Sequence, residues 1–124
     1  MHILKKSKLP SKKYLQKIDQ KNNIGLVVEL NGRTVGMCFG HKKDDMLLLT
    51  QIYVHPDYVG QNIGSDLLKT FIERVGSLQI KVSVYDKNTH AINFYIKNGF
   101  IMTDEKTNYI MNDEVVLPEV VLIR

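Results

Sequence analysis

Residues 46–85 hold the pattern that most constrains how this 124-residue chain folds. Met46–Val54 (MLLLTQIYV) is apolar over most of its length, which predicts a central strand covered on both faces. A loop rich in Pro and Gly follows, and then an apolar spacing typical of an amphipathic helix that ends at Gly76. Gln79–Tyr85 (QIKVSVY) alternates apolar and polar residues and predicts a second strand. This order predicts a parallel strand pair joined by a right-handed crossover.

The flanking segments predict antiparallel partners for this pair. Ile24–Leu30 and Thr34–Gly40 surround Asn31-Gly32, a hairpin signal because both turn residues tolerate positive φ. The C-terminal part predicts, in order, a helix over Asn88–Asn98 ended by Gly99, a strand over Phe100–Thr103, a polar turn over Asp104–Glu114 and a last strand over Val115–Ile123 interrupted at Pro118. The predicted fold is therefore α+β, with a mixed, mostly antiparallel sheet around one central parallel pair.

The positive charge of the chain is concentrated at its start. Residues 1–23 contain seven lysines and one acid, Asp19, so the remainder of this +4 chain is slightly acidic. We expect a basic arm over residues 1–23, with a short helix from Ser11 to about Gln20, ahead of a core over residues 24–124 in a single domain. A solvated helix is favoured over a nucleic-acid contact, because no aromatic–basic interleaving accompanies the lysines.

The composition predicts a cytoplasmic protein without a membrane span. No apolar run approaches the roughly 18 residues that a span requires, and no apolar segment follows the basic first residues as in a secretory signal. The single cysteine, Cys38, lies in a predicted strand, where we expect a buried apolar role. No metal is expected, because the spacing of Cys38 and the histidines is not that of a metal site; these are His2, His41, His55 and His90.

The loop after the long strand is the first candidate for chemistry. Val54–Ser65 (VHPDYVGQNIGS) leads into the N-terminus of a helix, where unpaired backbone N–H groups and the helix dipole favour an anion. Gly60 and Gly64 let the backbone approach a ligand closely, and Asn62 tolerates the left-handed conformation. Ser65 adds a hydroxyl in the first turn. Taken alone, this loop is more typical of a plain turn than of a phosphate site.

The second candidate is Val82–Phe100 (VSVYDKNTHAINFYIKNGF), in which a strand leads into a helix. Asn88 is the expected N-cap of that helix, and Ala91, Phe94 and Tyr95 occupy adjacent helical positions. Taken alone, this segment favours a helix that only packs against the core.

Together and in this order, the two segments resemble the signature segments of the GNAT N-acetyltransferase superfamily. That family has V-x-P-x-Y and Q/R-x-x-G-x-G/A in the first segment, and V-x-x-x-N-x-x-A-x-x-F-Y-x-x-x-G-F in the second. The positions that match here are Val54, Pro56, Tyr58, Gly64, Val84, Asn88, Ala91, Phe94, Tyr95, Gly99 and Phe100. The resemblance covers about residues 24–124, and Glu114–Pro118 is similar to a subgroup of small bacterial members.

The resemblance implies a GNAT-like twisted sheet with helices on both faces and a shortened N-terminal part. It also implies an N-acetyltransferase that uses acetyl-CoA as cosubstrate and a primary amine of a small molecule or protein as acceptor, by direct attack. The residues that it places around acetyl-CoA are Ile52, Tyr53, Val54, Val59, Gly60, Gln61, Asn62, Ile63, Gly64, Ser65 and Asn88. Within this set, the Val54 N–H would stabilise the oxyanion, and Tyr95 would protonate the leaving thiolate.

Two loop positions depart from the family pattern. Val59 stands where Gln or Arg is usual, and Asn62 stands where the middle Gly is usual. A charge-assisted hydrogen bond is worth roughly 1.5–3 kcal/mol, so we expect Val59 to weaken CoA binding about tenfold or more. The sequence assigns no general base among four candidates, which are Glu29, Gln51, Tyr53 and His55.

Two other functions stay open at this stage: an acyl-CoA-binding module without turnover, and a nucleic-acid-binding protein that uses the lysine-rich arm. The short N-terminal part predicts an open acceptor groove, which favours a peptide or protein amine. The same feature predicts an exposed sheet edge, and a homodimer that covers it is a further expectation.

Overall fold

The computed structural model describes residues 12–19, 21–76 and 78–124, which form a seven-stranded sheet with two α-helices. The strand order across the sheet is β1-β2-β3-β4-β5-β7-β6. The strands are β1 Lys12–Ile18, β2 Asn23–Leu30, β3 Arg33–Lys43, β4 Met46–Val54, β5 Gln79–Tyr85, β6 Ile101–Met111 and β7 Val115–Ile123. A 3₁₀ turn spans Pro56–Tyr58, and the helices are α1 Ile63–Val75 and α2 Thr89–Lys97. Of the helices in these described ranges, neither is long and apolar enough to cross a membrane.

The predicted parallel pair is confirmed, since β4 and β5 are parallel and every other neighbouring pair is antiparallel. The hairpin between β2 and β3 also forms as predicted, with φ of 52° at Asn31 and 79° at Gly32. The α+β mixed sheet inferred from the sequence is therefore the observed fold.

A bulge in β4 separates this strand from β5 halfway along its length. Phe39 pairs with Gln51 and Gly40 pairs with Leu49, so Thr50 is an extra residue without a partner in this register. Pairing of β4 with β5 stops at Leu49, immediately before the bulge. A bulge bends its strand and increases the local twist, so the C-terminal half of β4 diverges from β5 and leaves a gap in the sheet.

Both described helices pack on the same face of the sheet. A Cβ built on Gly36 would lie 3.3 Å from Leu67 of α1, and one built on Gly40 would lie 3.0 Å from Phe71. Residues of α1 and α2 share one apolar core, which includes Tyr95. For these helices, the prediction of helices on both faces is wrong. Crossovers between parallel strands are right-handed as a rule, and both of these advance in the same direction across the sheet, so this rule accounts for helices on one side.

Because only one face carries these helices, the described part of the chain does not cover β4 on both faces as the sequence predicts. Leu47 and Leu49 are buried toward α1, whereas Gln51 and Tyr53 point to the opposite face and are exposed. We call this opposite side the outer face; across β1–β4 it carries the paired row Leu15, Val27, Met37 and Tyr53.

The predicted N-terminal helix is wrong, because its described residues form strand β1. This strand pairs with β2 from Lys12 opposite Leu30 to Ile18 opposite Ile24. Lys12 Nζ lies 3.2 Å from a carboxylate oxygen of Asp66 in α1. Tertiary pairing along β2 thus outweighs a weak local helical pattern. The ends of the predicted helix, Ser11 and Gln20, lie outside the described residues.

The C-terminal hairpin is longer than predicted. Asp104–Met111, expected as a turn, continues β6, and the turn is confined to residues 112–114, in which Asn112 and Asp113 have φ of 52° and 59°. Polar side chains fit here because this stretch is an exposed edge strand and has no core to face. Pro118 does not interrupt β7: it pairs with Asn108 and lies beyond the last β5 pair, so its missing N–H leaves no ladder bond unmade.

Candidate active site

The loop between β4 and α1 is shaped by backbone conformations that the sequence indicates. His55 Nδ1 accepts a hydrogen bond from the Asp57 N–H at 3.1 Å and caps the 3₁₀ turn. Gly60 has φ of 90°, and Asn62 is in the left-handed conformation with φ of 60°. Asn62 is the N-cap of α1, and its carbonyl accepts from the Asp66 N–H at 3.0 Å. The predicted left-handed role of Asn62 is confirmed.

This loop, β4 and α2 surround a cavity of about 410 Å³, here called the loop cavity. Its lining residues are Ile52, Tyr53, Val54, Tyr58, Val59, Gly60, Asn62, Ile63, Gly64, Ser65, His90 and Phe94. All the loop and β4 residues proposed from the sequence are therefore brought together, except Gln61. Ile63 belongs to the apolar core, so only its backbone is available to a ligand.

Three lining residues were not among the sequence-based candidates: Tyr58, His90 and Phe94. His90 and Phe94 are four residues apart on α2, and a Cβ built on Gly64 would lie 3.5 Å from the Phe94 ring. The i, i+4 spacing from Phe94 was the available signal for His90. This spacing indicates a role for His90 only when α2 is known to pass beside the first turn of α1.

The gap between β4 and β5 forms a second cavity of about 350 Å³, the strand-gap cavity. It is lined by Leu49, Thr50, Gln51, Ile52, Val82, Ser83, Val84, Tyr85, Asn88, Ala91 and Tyr95. Asn88 and Tyr95, both proposed from the sequence, lie here. The two cavities share Ile52, so a long, thin ligand seated on the loop has a path between the diverging strands.

Asn88 is the N-cap of α2, as predicted. Its Oδ1 accepts a hydrogen bond from the Ala91 N–H at 3.1 Å, which occupies the oxygen end of the side-chain amide. The amide nitrogen remains to donate into the strand-gap cavity. The Asn88 side chain thus has two roles: its oxygen caps α2, and its nitrogen faces the proposed ligand path.

Replacing Asn88 separates these two roles. Asn88→Asp keeps a cap acceptor but removes the N–H donor, so we expect weaker acetyl-CoA binding at nearly unchanged stability. Asn88→Ala removes both and is expected to cost an additional ~1 kcal/mol of unfolding free energy. Urea unfolding and calorimetric titration of the same two variants measure both effects. Equal ligand affinity for Asn88→Asp and the natural protein would contradict the donor role.

Tyr95 is 6% exposed and packs between two aromatic rings. Its ring centroid lies 5.4 Å from that of Phe94 and 5.2 Å from that of Phe100. Burial, and secondarily the nearby Cys38 thiol, raise the pKa of Tyr95 to about 12. The hydroxyl is therefore a neutral donor at physiological pH, at the edge of the strand-gap cavity.

Cys38 is fully buried in β3, and burial raises the pKa of its thiol to about 12. A thiol in this state is a poor nucleophile, because the reactive form is the thiolate. The predicted apolar role of Cys38 is confirmed.

The structure narrows the candidates for a general base without choosing one. Gln51 lines the strand-gap cavity and Tyr53 the loop cavity, whereas Glu29 lines neither. His55 serves the loop, as its cap bond shows, and the Arg33 guanidinium lies 3.3 Å from its Nε2. In the described ranges, no three His, Cys, Asp or Glu residues are grouped as metal ligands.

Gly64 is the position where a side chain would enter the loop cavity. A Cβ here would lie 3.5 Å from both Phe94 and Val54, which is ordinary contact, and Ala is the better helix former. We therefore expect Gly64→Ala to fold with equal or higher stability. Larger side chains occupy ligand space, and we expect Gly64→Leu to raise the Kd for acetyl-CoA at least tenfold. Calorimetry measures the affinity and thermal melting the stability; unchanged affinity in Gly64→Leu would place the ligand elsewhere.

A mixed sheet that opens beside a glycine-containing helix N-terminus defines the class of GNAT domains. The family model described as "Acetyltransferase (GNAT) domain" matches residues 21–102, more than half of the chain. The chain belongs to the GNAT acetyltransferase family.

Individual relatives agree with this assignment. The chain is 31% identical over 67 residues to a spermidine N(1)-acetyltransferase of Thermoplasma acidophilum; the match covers 51% of this chain and 42% of that protein. The chain thus matches less than half the length of this curated relative. Two solved structures share the fold. The first is the ribosomal-protein-S18-alanine N-acetyltransferase of Escherichia coli, with a TM-score of 0.72 and 22% identity over 85% of this chain and 70% of that one. The second is Arabidopsis thaliana Naa50 in complex with the bisubstrate analogue CoA-Ac-MVNAL, with a TM-score of 0.67 and 28% identity over 81% of this chain and 71% of that one.

Proposed function

We propose that this protein transfers the acetyl group of acetyl-CoA to a primary amine. The observation that carries the proposal is the junction of the two cavities at Ile52, which links an anion-binding loop to a gap lined by Asn88 and Tyr95. The backbone N–H groups of Gly60–Ser65 and the N-terminus of α1 suit a pyrophosphate. The second half of β4 pairs with β3 but has no partner on its β5 side, so its backbone groups on that side are available to a pantetheine amide.

Acetyl-CoA supplies a thioester whose carbonyl carbon accepts the amine. Formation of the N–C bond and cleavage of the C–S bond leave a thiolate, which needs a proton, and an amine nitrogen, which must lose one. In this proposal the Val54 N–H stabilises the oxyanion, and Tyr95 protonates the sulfur. The proton of the amine leaves to water, because the structure assigns no side chain as base.

We propose a peptide or protein amine as the acceptor. The gap between β4 and β5 opens on the outer face. On one side of it lies the apolar row that ends at Tyr53, and on the other lies the half of the β6–β7 hairpin nearest its turn. On that side the hairpin presents Tyr109, Met111, Val115 and Leu117, and Tyr109 is 56% exposed. Apolar walls suit a polypeptide with apolar side chains better than a polycation, which requires carboxylates.

Glu119 is a carboxylate of β7 beside this hairpin, and one of its two oxygens is held within the hairpin. Glu119 Oε1 accepts a hydrogen bond from the Thr107 hydroxyl at 2.9 Å. The name of the Thermoplasma relative points to spermidine, and the ligand of the Arabidopsis structure carries the peptide sequence MVNAL. Free thiol release, measured separately with a peptide beginning with an apolar residue and with spermidine, distinguishes the two acceptor classes. Faster turnover with spermidine would overturn the peptide proposal.

The proposed reaction is tested in two stages. Calorimetric titration with acetyl-CoA is expected to show micromolar binding, and S-acetylpantetheine, which lacks the pyrophosphate, is expected to bind far more weakly. Thiol release with an amine panel then tests turnover. Binding without release for any amine would favour the acyl-CoA-binding module, and absence of binding at millimolar acetyl-CoA would refute the enzyme.

The expected homodimer needs a different surface from the one predicted. The edge of β2 is covered by β1, and the new edge carries Lys12, Lys13 and Lys17, which disfavour strand addition. We propose that any second copy docks through the apolar hairpin and outer face instead. Sedimentation at high concentration, with Tyr109→Ser as the variant, tests this; a species that stays monomeric would reject it.

A further inference from the structure

A pyrophosphate in the loop cavity needs more than backbone donors. Its two phosphates carry negative charge, and side-chain hydrogen bonds to charged groups add substantially to affinity. Val59 occupies the loop position from which family members commonly supply such a side chain. It is 69% exposed and has no polar atom to donate. The loop itself therefore leaves one phosphate contact unmade.

His90 lines the same cavity from the other side. Of the residues that line the loop cavity, His90 is the one that can carry a positive charge. It lies in the first turn of α2, one residue after Thr89, where the helix dipole also favours an anion. His90 is exposed, so its side chain is accessible to a ligand in this cavity.

The packing of α2 against α1 fixes the direction in which His90 faces. Phe94, four residues later on the same side of α2, lies within 3.5 Å of a Cβ built on Gly64. That side of α2 therefore faces the start of α1, where the loop N–H groups lie. Two helix N-termini and an imidazole thus converge on one cavity of about 410 Å³.

We propose that His90 donates a hydrogen bond to the pyrophosphate of acetyl-CoA and replaces the side-chain contact that Val59 lacks. An imidazole carries at least one N–H donor in either protonation state, so the contact does not require the charged form. This inference rests on the proposed use of acetyl-CoA and assigns a further binding residue to that reaction.

The test compares His90→Ala with Lys87→Ala by calorimetry. Lys87 is exposed next to Asn88 but does not line the loop cavity, so its loss controls for the general effect of removing a cation. We expect His90→Ala to raise the Kd for acetyl-CoA about tenfold or more, and Lys87→Ala to change it less than twofold. Val59→Gln in the His90→Ala background is expected to restore most of the lost affinity.

Truncated ligands identify the phosphate involved. S-Acetylpantetheine is expected to bind the natural protein and His90→Ala equally, which also shows that the variant is folded. Acetyl-3′-dephospho-CoA is expected to keep the full effect of His90→Ala; an effect that vanishes with this ligand would overturn the pyrophosphate assignment. Micromolar binding of acetyl-CoA with equal affinity for His90→Ala would overturn the role of His90 alone, whereas no binding by the natural protein would overturn the proposed function as well.

Discussion

Replacing Tyr95 with Phe is expected to lower kcat for acetyl transfer about 10²-fold while leaving the fold intact. Phe keeps the ring that packs between Phe94 and Phe100 and removes only the hydroxyl proposed to protonate the leaving thiolate. General acid catalysis contributes roughly 10²–10⁴-fold, and the lower end of this range is expected because solvent can replace the hydroxyl as proton donor. Steady-state turnover at saturating acetyl-CoA measures the effect.

The raised pKa of Tyr95 sets a constraint on this role. A phenol with a pKa of about 12 is a weaker acid than a thiol with an ordinary pKa of about 8.5. This difference between the two pKa values makes proton transfer from the Tyr95 hydroxyl to an ordinary thiolate unfavourable by roughly 5 kcal/mol. A thiolate formed between the strands is itself desolvated, which raises the pKa of the thiol and narrows the difference. The proposed acid role of Tyr95 therefore requires a buried thiolate as the proton acceptor.

The same pKa predicts the pH dependence. The active form of Tyr95 is protonated, and it stays protonated at every pH below about 12. We therefore expect kcat/KM to show no alkaline decline from Tyr95 near pH 10, where an ordinary tyrosine ionises. Tyr14→Phe, on β1, serves as the control and is expected to keep full turnover. Full turnover of Tyr95→Phe would remove Tyr95 from the mechanism.

Phe71→Ala is expected to lower the unfolding free energy by about 3–5 kcal/mol. Phe71 is 1% exposed in α1, and its ring contacts the backbone position of Gly40 in β3, where a glycine allows close approach. Truncation leaves a cavity between helix and sheet that this close packing cannot collapse to fill. Since domains are stable by only about 5–15 kcal/mol, the variant is expected to be partly unfolded at 37 °C.

Denaturant unfolding of Phe71→Ala and Glu73→Ala provides the comparison. Glu73 lies two residues further along the same helix and is exposed, so its removal is expected to change stability by less than about 0.5 kcal/mol. A Phe71→Ala variant within 1 kcal/mol of the natural protein would show that α1 does not anchor the sheet in the way described.

Much of the candidate site was predictable because its residues act through local backbone chemistry. Asn62 adopts the left-handed conformation and Asn88 caps α2, and both choices depend on properties of these residue types within a few positions of chain. His90 was missed because its role depends on the side of α2 that faces α1. That orientation comes from the contact of Phe94 with Gly64, which are distant in sequence.

The strands and helices of residues 23–102 follow from the sequence alone, because apolar periodicity and turn residues such as Asn31-Gly32 determine them locally. The ends of the chain were decided by tertiary contacts. Residues 12–18 form a strand because β2 offers an unpaired edge, and the polar residues after Asp104 stay extended because β7 pairs with them. The bulge at Thr50, which opens the gap for the proposed ligand, exists only in the register between β3 and β4. Register joins residues far apart in the chain, so no local pattern encodes it.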